Sequence, residues 1–167
     1  MSDLSAGRGA KALREAFDAA FVEPPSAGPR PDELPLLVLR AGAARVAVRV
    51  LETGGLVAPG RIEPVPSGRR ELLGVTGVRG ALLPVYGLAR LLGIEDAGEV
   101  LRWLLLAGGE ARVGLAFGAL EGYRRVARAA VEPAGAAAGA VREVVQIEGA
   151  SLPVVSIPAL VRQIGLG

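Results

Sequence analysis

A carboxylate pair able to do acid/base chemistry in this sequence would have to come from Glu52, Glu63, Glu71, Glu95, Asp96, Glu99, Glu121, Glu132, Glu143 and Glu148. General acid/base catalysis needs two such groups held together in environments that separate their pKa values. No spacing here singles out a pair, and each reads as a solvated strand or loop position. The chain has no His and no Cys, which removes the Ser-His-Asp triad, the thiolate nucleophile and the usual N/S zinc site. Asp stands only at 3, 18, 32 and 96, so no cluster of Asp ligands for magnesium is expected in the folded part. The one lysine, Lys11, lacks the glycine pattern of a phosphate loop. Gly74, Gly77 and Gly80 have the wrong spacing for a dinucleotide fingerprint and lead into a strand, so they read as part of a β turn. The expectation is a binding module with no catalytic residue, no cofactor and no metal.

At 167 residues the chain fits one domain, or two small subdomains sharing a core. Its longest apolar runs, such as Trp103 to Ala107, fall far short of the roughly 18 residues that span a bilayer. The first residues carry no apolar signal segment, so a cytoplasmic protein without membrane insertion is expected. The pI of about 9.6 accompanies a formal charge of only +2. Eighteen Arg raise it where nothing titrates between the carboxylates and Tyr. Six aromatics form no basic-aromatic run of the kind on which nucleic acids stack, so no nucleic-acid partner is expected.

Those side chains must be carried by an all-β body. In Arg45-Val46-Ala47-Val48-Arg49-Val50 the valines alternate with Arg45, Ala47 and Arg49, which predicts a strand with one buried and one wet face. The same alternation runs through Arg112 to Phe117. Further apolar runs at Leu36 to Leu39, Leu72 to Val78, Ala81 to Tyr86, Trp103 to Ala107, Val141 to Ile147 and Leu152 to Ile157 are short and separated by Gly or Pro. Short helical turns are expected at Gly87 to Leu92 and Pro158 to Ile164. Residues 1–33 differ: Leu13, Phe17 and Phe21 recur every four residues, as on an N-terminal helix, and prolines at 24, 25, 29, 31 and 35 make a semi-rigid linker. The Leu13/Phe17/Phe21 stripe is expected to fold back on the body, to dock in a partner's groove, or to stay disordered.

An internal repeat organises residues 34–167. Gly80-Ala81-Leu82-Leu83-Pro84-Val85 matches Gly149-Ala150-Ser151-Leu152-Pro153-Val154 at five of six positions, 69 residues apart. Ala44 to Val48 matches Ala111 to Leu115 at an offset of 67. One duplicated unit follows, with halves at about 34–98 and 99–164, each too small to bury more than a modest core. Two similar small β-barrels of the SH3-like kind, packed on each other, are expected.

The stretch Gly74-Val75-Thr76-Gly77-Val78-Arg79-Gly80-Ala81-Leu82-Leu83-Pro84-Val85, continued by Leu88, Arg90, Leu91, Leu92 and Gly93, resembles the signature of the chemotaxis coupling protein family, CheW. Ala47 to Glu52 resembles the family's first strands with their V-x-E step, and Ile62-Glu63-Pro64-Val65-Pro66 its I-x-x-x-P turn. The resemblance covers about residues 34–164. It implies a non-enzymatic adaptor that binds the cytoplasmic tip of a chemoreceptor and the regulatory domain of a histidine kinase, with the receptor helix in an apolar groove. By position it assigns receptor binding to Val50, Glu52, Val78, Arg79 and Gly80. The alternatives are that Arg79 donates hydrogen bonds to carbonyls where the halves join, that Gly80 serves only a turn, and that Val50 is plain core.

The chain departs from the family pattern at Gly77, Gly87, Ser156 and Gly118, where Asn or Asp is usual, and at Glu143, where glycine is usual. Turn-capping side chains are therefore expected to be missing, and the loop from Pro66 to Gly74 is longer. These changes fit a divergent adaptor that binds the receptor but not the kinase; a competing reading, resting on the Leu13/Phe17/Phe21 stripe, is a scaffold recruiting another signalling protein through its N-terminal helix.

Overall fold

The computed structural model describes residues 30–96, 98–109, 112–135 and 139–165. The expected helix carrying Leu13, Phe17 and Phe21 lies outside the described residues.

The strands run in the order β1 (Glu33–Ala41), β2 (Ala44–Arg49), β3 (Thr53–Val57), β4 (Leu72–Val78), β5 (Ala81–Gly87), β6 (Trp103–Ala107), β7 (Gly114–Phe117), β8 (Ala119–Ala127), β9 (Val131–Pro133), β10 (Val141–Ile147) and β11 (Ala150–Val155). Helix α1 (Leu88–Leu91) follows β5 and α2 (Ile157–Ile164) follows β11. Two sheets form, ordered β3-β6-β7-β5-β4 and β8-β1-β2-β11-β10-β9. The runs Leu72 to Val78, Trp103 to Ala107 and Val141 to Ile147 recur as strands with the same bounds, whereas β1 extends beyond Leu36 to Leu39, β7 begins at Gly114 and β11 ends at Val155. The strands β3, β8 and β9 were not foreseen.

Both sheets curl into barrels. In the six-stranded sheet, edge strand β8 passes through the 3-10 turn Arg128–Ala130 directly into β9, the opposite edge. Three residues reach only about 10 Å, so the two edges must be neighbours. In the five-stranded sheet the chain leaving β3 returns to β4: Glu63 bridges Val75, and the Thr76 hydroxyl donates to the Arg61 carbonyl at 2.9 Å.

The duplicated unit is present, but its halves trade hairpins. Strand β2 pairs in parallel with β11 through Ala47 and Val48, while its repeat mate β7 pairs in parallel with β5 through Gly114 to Ala116. Likewise β1 pairs with β8 and its mate β6 with β3. Each barrel thus takes its first two strands from one repeat and the rest from the other. The five-stranded barrel is contiguous, residues 53–117, and is inserted into the six-stranded one, which is split between β1–β2 and β8–β11. The sheets therefore cut across the expected boundary between 34–98 and 99–164.

The expectation of one wet face on β2 is corrected. Val46 and Val48 enter the core shared by the barrels, and Ala47, fully buried, enters the split barrel's private core with Leu36, Val38, Val145, Leu152 and Val154. Arg45 and Arg49 stay polar by sitting near the strand ends in ion pairs with Glu121 and Glu143. The inserted barrel has its own core of Val78, Leu83, Val85, Leu104, Leu106 and Ala116. The shared core joins Leu39, Val46 and Val48 to Leu105, Leu115 and Phe117, closed by α2. Helix α2 forms because Ser156 caps it, Pro158 lies in its first turn and Gly165 ends it at φ +77°. Its residues Ile157, Leu160, Val161 and Ile164 share the buried face.

Candidate partner-binding site

The residues singled out for partner binding lie on two short segments. Val50–Glu52 is a 3-10 turn, not the end of a strand, and forms the crossing from the split barrel into the inserted one. The Val50 carbonyl accepts the Thr53 hydroxyl at 2.8 Å, which fixes the turn. Glu52 faces inward: its Oε2 accepts the Ile157 N–H at 2.8 Å, and its carbonyl accepts the Gly108 N–H at 2.9 Å. A carboxylate at the first N–H of α2 satisfies an orphan donor and opposes the helix dipole. Its carboxylate oxygen is thus engaged within the fold. The side chain this turn presents to solvent is Leu51, 82% exposed, which motif reasoning passed over because it occupies the variable position of V-x-E.

Val78 to Ala81 is the β4–β5 hairpin. Val78 is buried in the inserted barrel's core. Arg79 and Gly80 form its two-residue turn with φ +49° and +81°, values that suit a type I′ turn and that Gly, unlike Arg, adopts freely. Gly80 thus fits its turn reading. The equivalent turn of the split barrel repeats the geometry with Glu148 at +53° and Gly149 at +79°. Glu148 is paired with Arg124 at 2.9 Å. Arg79, in contrast, is exposed and makes no hydrogen bond or ion pair among the described residues. The expected bonds from Arg79 to carbonyls at the junction are not formed. Its Nη2 lies 3.8 Å from where a Cβ on Gly55 would stand, so the turn tip borders β3, the strand that begins right after Glu52.

At two of these positions other groups of the chain supply the missing cap. At Gly118 the Glu99 carboxylate supplies the acid: Oε1 accepts the Gly118 N–H at 2.9 Å and lies 2.4 Å from where a Cβ would be. Oε2 of Glu99 is buried without a hydrogen-bond partner among the described residues. At the start of α2, Ser156 and Glu52 act together. At Gly87 no side chain caps α1. Glu143 pairs with Arg49 at 2.5 Å, whereas its repeat mate Gly74 has no room for a side chain because the Glu63 carbonyl lies 2.1 Å from the Cβ position. The long loop before Gly74 delivers Arg69, which donates to the Ile164 carbonyl at the end of α2.

A second charged cluster lies on the split barrel. Glu121 is the extra residue of a bulge in β8 opposite Val38 and Leu39. It accepts from Arg40 at 2.9 Å and Arg45 at 2.6 Å. Burial works against its ionisation, but the two guanidinium hydrogen bonds outweigh it and hold the carboxyl below the usual carboxylate range. Among the described residues no group of His, Cys, Asp or Glu could hold a metal ion. No helix among them is long and apolar enough to cross a membrane.

The sequence model of the CheW-like domain matches residues 35–165. The chain belongs to the CheW-like domain family. Among solved structures, the scaffolding protein TtCheW from Thermoanaerobacter tengcongensis superposes with a TM-score of 0.67 at 15% identity, over 73% of this chain and 88% of that one. That likeness shows the CheW fold. No curated protein matches the sequence. Membership of this family accounts for the two barrels, and the CheW family is one of non-catalytic scaffolds.

Proposed function

We propose that this CheW-like chain couples the cytoplasmic tip of a chemoreceptor to the regulatory domain of a histidine kinase, acting in the cytoplasm within receptor arrays. The observation that carries the reading is Arg79: an exposed guanidinium in a backbone conformation unfavourable to it, with no partner among the described residues. Strain of this kind persists where a side chain is needed for something outside the fold. Val78 and Gly80 hold Arg79 at the tip, Val50 and Glu52 shape the neighbouring turn, and Leu51 adds an apolar contact. A receptor helix presenting a carboxylate beside apolar residues matches this surface.

The test is titration calorimetry of the full chain, and of a chain lacking residues 1–33, with the receptor tip and the kinase regulatory domain separately. Binding to both supports the coupling role, and binding to the receptor alone identifies a divergent adaptor. Loss of binding on removal of residues 1–33 assigns it to Leu13, Phe17 and Phe21 instead. Binding to neither overturns the proposal.

A further inference from the structure

The β1–β2 hairpin fills a slot in the split barrel between β8 and β11. Its repeat mate, β6–β7, fills the equivalent slot between β3 and β5. Each slot is therefore occupied by a hairpin from the other repeat, in the same register type: antiparallel on one side and parallel on the other. Exchange of this hairpin between two copies of one unit is already built into the chain. We infer that the slot between β8 and β11 also accepts the β1–β2 hairpin of a second copy of this chain, giving an exchanged dimer.

The contacts support this. The hairpin's inward residues Leu36, Val38 and Ala47 meet Val145, Leu152 and Val154, and a second copy supplies the same residues to the same partners. The two arrangements differ chiefly at the hinge and in the entropy of association, which is why hairpin exchange is a low-cost route to dimers. The hinge is the turn Val50–Glu52, the connection from the hairpin to β3. Straightening it turns β2 and β3 into one extended run. Among the bonds that hold it closed are Thr53 hydroxyl to Val50 carbonyl, Ile157 N–H to Glu52 carboxylate, and Gly108 N–H to Glu52 carbonyl. Glu52→Ala removes the second of these, so it shifts the population toward exchange.

The absence of cysteine from the sequence allows a direct test. Pro35 of β1 and Arg125 of β8 stand opposite each other, close enough for a disulfide between directly opposed strand residues. Two full-length variants, Pro35→Cys and Arg125→Cys, carry tags of different mass. One mixture is unfolded and refolded together at high concentration; the other is combined only after separate refolding. Both are then oxidised. Exchange places the two cysteines together across chains, so the co-refolded mixture yields at least tenfold more disulfide heterodimer, and adding Glu52→Ala to both variants raises the yield severalfold. Equal heterodimer in the two mixtures, or a dimer on gel filtration without the cross-link, overturns the inference. Should either variant fail to fold, Leu37→Cys with Tyr123→Cys, also opposed, reads the same outcome.

Discussion

Glu52 and Arg69 hold opposite ends of one helix: the carboxylate accepts the first N–H of α2, and the guanidinium donates to the carbonyl of its last residue, Ile164. Both residues flank β3, one just before it and the other in the loop that follows. Negative charge at the N-terminus and positive charge at the C-terminus both favour a helix. Glu52→Ala should therefore destabilise the protein by about 1 to 2 kcal/mol. Urea unfolding checks this, and an unchanged midpoint would remove Glu52 from the account of α2.

Arg79 tests stability against function. Arg79→Gly relieves a left-handed conformation that costs a non-glycine residue about 1 kcal/mol, partly offset by the freer unfolded chain. The variant should be as stable as the parent or slightly more so, while its affinity for the receptor tip falls at least about tenfold, a loss of about 1.4 kcal/mol. Calorimetry alongside thermal unfolding separates the two effects. Retained affinity would leave the strain at Arg79 without a purpose.

Glu121 sets an acid limit. Its folded pKa is depressed by Arg40 and Arg45, so its contribution is present above the unfolded value of about 4.3 and is lost as pH falls through the folded value. Glu121→Gln should lose about 1 kcal/mol or less at pH 7 and show a flatter decline below pH of about 4. Parallel acid titrations by circular dichroism compare the slopes, and identical profiles would contradict the assignment.

Glu99 and Gly118 should behave as a coupled pair. An aspartate at 118 would place its Cβ where the Glu99 carboxylate now lies. Gly118→Asp alone should cost about 2 kcal/mol, in the range of a buried clash. With Glu99→Ala added, much of that loss should return, because the new carboxylate enters the vacated space. A double-mutant cycle in urea measures the coupling. Additive losses would contradict it.

Much of this fold could be read before any coordinates. Short apolar runs bounded by turn residues placed Leu72 to Val78, Trp103 to Ala107 and Val141 to Ile147 on strands. β8 escaped because Arg124, Arg125 and Glu121 interrupt its pattern and Gly122 breaks it. β3 escaped because Gly54 and Gly55 resemble a turn; Gly54 is required there, since the Ala107 carbonyl lies 2.8 Å from its Cβ position. The repeat offset showed that two units exist, but nothing local in a sequence says which sheet a hairpin joins, so the exchange was hidden. At the candidate site, Arg79 and Gly80 were legible from their motif. The inward turn of Glu52 and the exposure of Leu51 depend on Ile157, which lies 105 residues away.

The insertion of one barrel within the other also determines how the molecule would bear a mechanical load. Tension applied to the two ends of the folded body enters at β1 and leaves through α2. At the first end it meets the split barrel, where β1 is held along most of its length by β8. The inserted barrel hangs from β2 by Val50–Glu52 and from β8 by Gly118, the two strands that flank β1, and its backbone comes under tension only once the β1–β2 hairpin peels away. Under a pull the split barrel should yield first, and the β4–β5 tip that carries Arg79 should outlast it.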